Sequence, residues 1–218
     1  NILAQISMRG TGLILGWRTT FNPFSFKPSW AEVADLEEAA QLERLADPDF
    51  RHKLITEESV YPDSDVQILT ELMATAFTMQ YELSDGFDYE PSGQQSIAYL
   101  AEQTGVSGAE YAYDLLMSDG GRGFIYFPLL NYADVNLNFL EPVLQSDDSI
   151  NSLSDGGAHC RTICDVASPT FMLQHWVRDR EGFKLSLSQA IKRQCADTAK
   201  VYGLDDRGLL APGDLADV

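Results

Sequence analysis

Short apolar runs and longer apolar stripes alternate along the chain. Ile2-Leu3-Ala4-Gln5-Ile6-Ser7 and Thr11-Gly12-Leu13-Ile14-Leu15 have strand length and are separated by Arg9-Gly10, the pattern of a buried strand followed by a loop. Trp17 to Trp30 is rich in aromatics without a period and reads as an irregular excursion. Between Ser29 and Ala46 the positions Val33, Leu36, Ala40, Leu42 and Leu45 recur at helical spacing. Asp47-Pro48 then supplies an N-cap followed by proline at the first helical position, so two consecutive helices are expected. Ser64 to Tyr81 carries a further helical stripe, and Ser84 to Gly93 is a polar turn-rich connection. Helices are expected over Ser96 to Gln103, closed by Gly105, and over Ser107 to Ser118, closed by Gly120-Gly121. Gly123 to Leu130 reads as a strand, Tyr132 to Gln145 as a helix, and Ser149 to Leu153 as a short strand running into Ser154-Asp155-Gly156-Gly157-Ala158-His159. Two helices follow, Thr170 to Arg180 and Ser186 to Tyr202, the second opened by a serine cap. Strands alternating with longer helices predict an α/β architecture with parallel strands.

At 218 residues and 44% hydrophobic content the chain can build one sizeable core, and nothing in it forces two independent domains. The balance of 15 Lys and Arg against 33 Asp and Glu gives a formal charge of -18, which repels polyphosphate and anionic membranes, so neither nucleic acid nor a membrane is expected as a partner. No apolar run approaches the roughly 20 residues needed to span a bilayer. Cys160, Cys164 and Cys195 are an odd, sparse set, which fits a reducing cytoplasm better than a disulfide scaffold. The chain opens at Asn1 without a methionine, directly in an apolar stretch, and is read as an internal fragment of a longer protein.

A carboxylate placed just after a strand and followed by two glycines sits where α/β barrels keep their active sites, which singles out Asp155. On turn chemistry alone, Ser-Asp-Gly-Gly is also an ordinary turn sequence. His159 could face the same mouth or serve as a structural hydrogen-bonding histidine. Arg9 follows the first apparent strand and could pair with a substrate carboxylate through its planar guanidinium, or form a surface salt bridge. Cys160 and Cys164, at i and i+4, read as free thiols rather than metal ligands, and His175 as packing. Arg178-Asp179-Arg180 reads as an ion-pair network on a helix.

The C-terminal third carries Leu153-Ser154-Asp155-Gly156-Gly157-Ala158-His159, then Cys164-Asp165-Val166-Ala167-Ser168-Pro169-Thr170, then Trp176-Val177-Arg178-Asp179-Arg180. Tyr202-Gly203-Leu204-Asp205-Asp206-Arg207-Gly208 and Ala211-Pro212-Gly213-Asp214-Leu215-Ala216-Asp217 follow. These blocks, in this order, resemble the N-acyl-D-amino-acid deacylases (D-aminoacylases) of the amidohydrolase superfamily. Asp47-Pro48 with Arg51, and Leu130-Asn131-Tyr132-Ala133, extend the likeness over most of the chain. The resemblance implies the C-terminal, helix-rich portion of an incomplete (β/α)8 TIM-type barrel over residues 1–218, with 209–218 beginning the return to a small β-sandwich. It implies zinc-dependent hydrolysis of N-acyl-D-amino acids, with Asp155 as metal ligand and proton shuttle and Arg9, Gly156 and His159 toward the substrate. The family's His-x-His pair, bridging cysteine and further metal histidines match nothing in this chain, whose histidines are His52, His159 and His175. One carboxylate cannot hold a catalytic zinc, which takes three protein ligands, so the chain alone is expected to be metal-free and inactive. A cyclic-amide hydrolase of the same superfamily, or a non-catalytic fragment that self-associates through its strand edges, are the competing expectations, and a homo-oligomer or a rearranged helical packing is expected for the isolated chain.

Overall fold

The computed structural model describes residues 2–63, 65, 67–154 and 165–215. Along the chain come β1 (Ala4–Ile6), β2 (Thr11–Leu15), α1 (Glu38–Leu45), α2 (Pro48–Thr56), α3 (Gln67–Thr75), β3 (Tyr81–Leu83), α4 (Ile97–Thr104) and α5 (Gly108–Gly121). They are followed by β4 (Phe124–Leu130), α6 (Leu140–Leu144), β5 (Ser149–Asn151), α7 (Ser168–Phe171), α8 (Leu187–Gln194) and α9 (Ala196–Val201). The protein is mixed α/β and helix-rich, with two small sheets among the described residues. No barrel is present among those residues, and no helix there is long and apolar enough to cross a membrane.

The described residues divide into two compact units: one from the stretches 2–11, 130–154 and 165–215, the other from the described part of Gly12–Leu129. In the Gly12–Leu129 unit the strand order is β2-β4-β3. β3 and β4 pair antiparallel, Tyr81 opposite Tyr126 and Leu83 opposite Phe124, where sequence periodicity leads one to expect parallel strands. The chain between them explains the difference. A single crossover helix returns a chain parallel to its first strand, but two helices, α4 and α5, reverse it once more. The core here joins Leu13 and Leu15 of β2 and Ile125 and Phe127 of β4 to Leu45, Leu54, Met73 and Leu116 from the helices.

Helix ends follow local chemistry. Asp47 caps α2 by accepting from the amides of Asp49 and Phe50 at 2.9 and 3.3 Å, and the hydroxyls of Ser96 and Ser107 cap α4 and α5. Ser107 pairs with Glu110 in a full capping box, and Gly105 ends α4 at φ +75°, in the left-handed region that glycine occupies without strain. The apolar stripe of Ser64 to Tyr81 overstates α3, which stops at Thr75. Buried Gln80 donates through Nε2 to the carbonyls of Leu72 (3.3 Å) and Met73 (2.9 Å), satisfying acceptors at the helix end while the chain turns into β3.

In the other unit, β1 and β5 pair parallel, Ala4 opposite Ser149 and Ile6 opposite Asn151, with α8 and α9 against β5. Met8, Leu137, Leu140, Ile150, Phe171, Met172, Trp176 and Ala190 are among its buried apolar residues. The helix expected over Tyr132 to Gln145 survives only as α6. Asn136 diverts the backbone: its Nδ2 donates to the Asp134 carbonyl at 2.8 Å and its Oδ1 accepts from the Asn138 amide at 2.9 Å, while Asn131 and Val135 take φ of +62° and +56°. The helix expected over Ser186 to Tyr202 is broken at Cys195 (φ -109°, ψ -77°) into α8, opened by a Ser186–Gln189 capping box, and α9. Among the described residues no strand follows β5, so 209–215 show no β-sandwich strand.

Candidate functional site at the ends of the parallel strands

Parallel pairing brings the residues after β1 and those after β5 to the same edge of the two-stranded sheet. In α/β proteins that edge, beyond the carboxyl ends of the strands, is where ligands bind. Met8 and Arg9 follow β1, and Ser152, Leu153 and Ser154 follow β5. Leu153 has φ +68°, a left-handed conformation costly to a side chain branched at Cγ and held only where the surroundings enforce it. The chain therefore turns sharply two residues before Asp155. Beside this turn lies a cleft of about 310 Å³ whose walls include Gln5, Asn151, Ser154, Gln194 and Tyr202. Asn151 accepts at Oδ1 from Arg193 Nε (3.3 Å), while its buried Nδ2 has no hydrogen-bond partner among the described residues.

Arg9 is only 3% exposed, which removes the surface salt bridge as an account of it. Its guanidinium lies 5.3 Å from the centre of the Phe171 ring, and its carbonyl accepts from Ser7 Oγ at 3.2 Å. Behind Phe171 runs a ladder of rings: His175 stacks on Phe171 at 4.8 Å and meets Trp176 edge-on at 5.8 Å, and Arg180 covers the Trp176 ring at 4.6 Å. Trp176 donates from Nε1 to the Met8 carbonyl at 2.6 Å, tying the segment that carries Arg9 to the ladder. His175 is buried within it, in agreement with its reading as packing.

The ladder is built on an unexpected element. Met172–Asp179 is a π-helix, a rare wide helix that recurs near functional sites, and nothing in its periodicity announces it. The Arg178-Asp179-Arg180 segment splits in function: Arg178 pairs with neighbouring Asp179 on the surface, while buried Arg180 donates to Glu141 Oε1 at 2.8 Å and Asn138 Oδ1 at 2.5 Å. Arg193, on α8, is also buried. It donates to the carbonyls of Ser146 and Ser149, the Ser149 hydroxyl and Asn151, fastening α8 to β5. Ala190, three residues earlier on the same face and fully buried, was the available signal that this side of α8 packs closely.

Of the predicted site residues, Arg9 stands at this edge, and Asp155, Gly156 and His159 lie outside the described residues, as do Cys160 and Cys164. Cys195 is a free, exposed thiol. Among the described residues no group of three or more His, Cys, Asp or Glu could hold a metal. The described residues thus offer no set of three ligands for a catalytic zinc. No family model, no curated protein and no solved structure matches the chain.

Proposed function

We propose that the chain is the C-terminal part of a (β/α)8 metal-dependent amidohydrolase that hydrolyses the amide bond of N-acyl-D-amino acids, with zinc held largely by ligands from elsewhere in the polypeptide. Asp155 is the carboxylate that takes and returns the proton, Gly156 gives the substrate close access to the backbone, and Arg9 and His159 lie toward the substrate. The observation that carries this reading is the parallel adjacency of β1 and β5, which directs the segments leading from Ile6 to Arg9 and from Asn151 toward Asp155 to one edge. The strained turn at Leu153 supports it, since such backbone persists where a following side chain must be aimed.

The test uses a polypeptide extended upstream of Asn1 and assays release of free amino acid from N-acetyl-D-amino acids. Asp155→Asn keeps the shape of the side chain and removes its basicity, so kcat should fall by about 10²–10⁴, the usual contribution of a positioned acid–base group. An extended enzyme that is active with Asp155→Asn at the wild-type rate refutes the assignment.

One observation favours a second reading, a self-associating piece: β1 and β5 pair only with each other among the described residues, leaving both outer edges of a parallel sheet unpaired. The two readings separate on the extended polypeptide, which the second predicts to be inactive.

A further inference from the structure

Neither outer edge of the β1–β5 pair carries a further strand, but the two edges are unlike. In a parallel pair each strand bonds its neighbour through alternate residues. The Ala4 amide donates to the Asp148 carbonyl at 2.9 Å, and the Ser152 amide to the Ile6 carbonyl at 2.8 Å. Ala4 and Ile6 therefore turn their backbone groups toward β5, while Leu3 and Gln5 on one side and Ser149 on the other turn theirs outward. On the β5 side that place is taken. Arg193 Nη2 donates to the Ser149 carbonyl at 3.2 Å and to its hydroxyl at 2.9 Å, standing where the amide of a neighbouring strand would bond. On the β1 side the backbone amides and carbonyls of Leu3 and Gln5 have no hydrogen-bond partner among the described residues, and both residues are exposed.

The devices that ordinarily keep edge strands apart, charged side chains and proline, are missing from β1. From Ile2 to Met8 the sequence has no charged residue and no proline, in a chain of formal charge -18, so two copies meet there without bringing like charges together. One antiparallel register uses only the free groups. With Ala4 opposite Ala4 of a second copy, Leu3 and Gln5 of each exchange both backbone bonds with Gln5 and Leu3 of the other. Ala4 then stands at a position that makes no bond across the pair, where strands approach most closely, and it is the smallest side chain of β1. Ile2, 94% exposed, falls opposite Ile6 of the second copy on the same face, an apolar cross-strand pair. Placing Gln5 opposite itself instead would call on Ser7, whose carbonyl already accepts from Asn131 Nδ2 at 3.4 Å.

We propose that the 218-residue chain forms a two-fold dimer by adding β1 of one copy antiparallel to β1 of the other, in a sheet ordered β5-β1-β1-β5 that Arg193 closes at both ends. Such a contact is self-complementary and leaves no edge for a third copy, so assembly stops at two. The pairing rests on the self-association reading, for which it supplies the partner and the register.

Sedimentation velocity of the 218-residue chain from about 1 to 200 µM should show monomer giving way to dimer and to nothing larger, with more dimer as salt screens the charge on each copy. Gln5→Pro removes an amide that bonds nothing in the single copy and sets a ring against the partner strand. Its dissociation constant should rise about tenfold or more, with circular dichroism unchanged. Ala4→Cys places two thiols opposite each other at the two-fold axis, so mild oxidation should raise the disulfide-linked dimer several-fold over the wild-type background of native cysteines. Should Gln5→Pro fail to fold, Ala4→Cys decides. A monomer throughout, species beyond a dimer, Gln5→Pro associating as wild type does, or no gain in cross-linking each overturn the pairing. A dimer indifferent to both variants leaves self-association standing on another surface, so the two failures are told apart.

Discussion

Replacing Tyr113 by Phe should make the protein less stable at neutral pH and more stable than wild type in strong alkali. Tyr113 is 1% exposed on α5, with its ring edge-on to Trp17 at 5.2 Å and to Phe24 at 5.4 Å, and its hydroxyl donates to the Leu45 carbonyl at 2.6 Å. Phenylalanine keeps the ring contacts and removes one buried hydrogen bond, stranding a carbonyl at the end of α1, for a cost of about 1–1.5 kcal/mol. The same burial pushes the hydroxyl's pKa far up from its ordinary value of 10.0, with Arg51 opposing the shift and Asp114 and Asp47 adding to it. A folded pKa raised above the unfolded one means that the contribution is complete below the unfolded pKa. As pH rises past about 10 the unfolded chain loses this proton while the folded one keeps it, so wild type loses about 1.4 kcal/mol per pH unit relative to the variant. The two stability curves should therefore cross about one pH unit above 10. Urea unfolding followed by circular dichroism at a series of pH values from 7 to 11.5 measures the gap directly. Tyr81 and Tyr111, whose hydroxyls are also raised by burial, are common to both proteins and cancel. A gap that stays constant through this range would refute the account of the Tyr113 hydroxyl as a buried, protonated donor.

Trp176→Phe removes the indole donor to Met8 and shrinks a fully buried ring, which should cost about 3 kcal/mol and lower Tm by about 6–12 °C in differential scanning calorimetry. Gly123→Ala places a Cβ 1.9 Å from the Leu115 carbonyl oxygen, a backbone atom that cannot rotate aside, so a loss above about 3 kcal/mol or insoluble expression is expected, read by urea titration. Light scattering at micromolar concentration should show a dimer or larger species, given the two open edges of the β1–β5 pair and Ile2 at 94% exposure. A monodisperse monomer would count against self-association.

What could be read from the residues alone divides by range. Caps were legible because they are local: Ser96, Ser107, Ser186 and the Asp47-Pro48 step each stop or start a helix through groups a few positions away. Helix lengths were less legible wherever a side chain competes with the backbone. Gln80 ends α3 before its apolar stripe does, and Asn136 dissolves most of the helix suggested over Tyr132 to Gln145. Strand pairing lay beyond reach, since β1 and β5 are more than 140 residues apart and each is only three residues long, too short for a pattern to fix its neighbour. Arg9 was singled out by its place after a strand, but its burial under Phe171 depends on a helix some 160 residues later. Arg180 was read as part of an ion-pair network but not as buried, and Arg193 was not singled out, because arginines near helix ends are usually solvated; only the fold reveals which ones bury their charge.

The widened helix from Met172 to Asp179 makes the chain there unusually sensitive to length. Each of its turns closes over one more residue than an α-helix would, so a single-residue deletion could be absorbed by tightening to ordinary α geometry without breaking the element. A single-residue insertion there, which tightening cannot take up, would instead rotate everything downstream by about 100° around the axis. Arg180 would swing away from Glu141 and Asn138, and the Trp176 donor away from Met8. The register of this one segment thus couples the position of the first strand's exit to the docking of the last two helices, and related sequences that differ here by one residue would have to rebuild both.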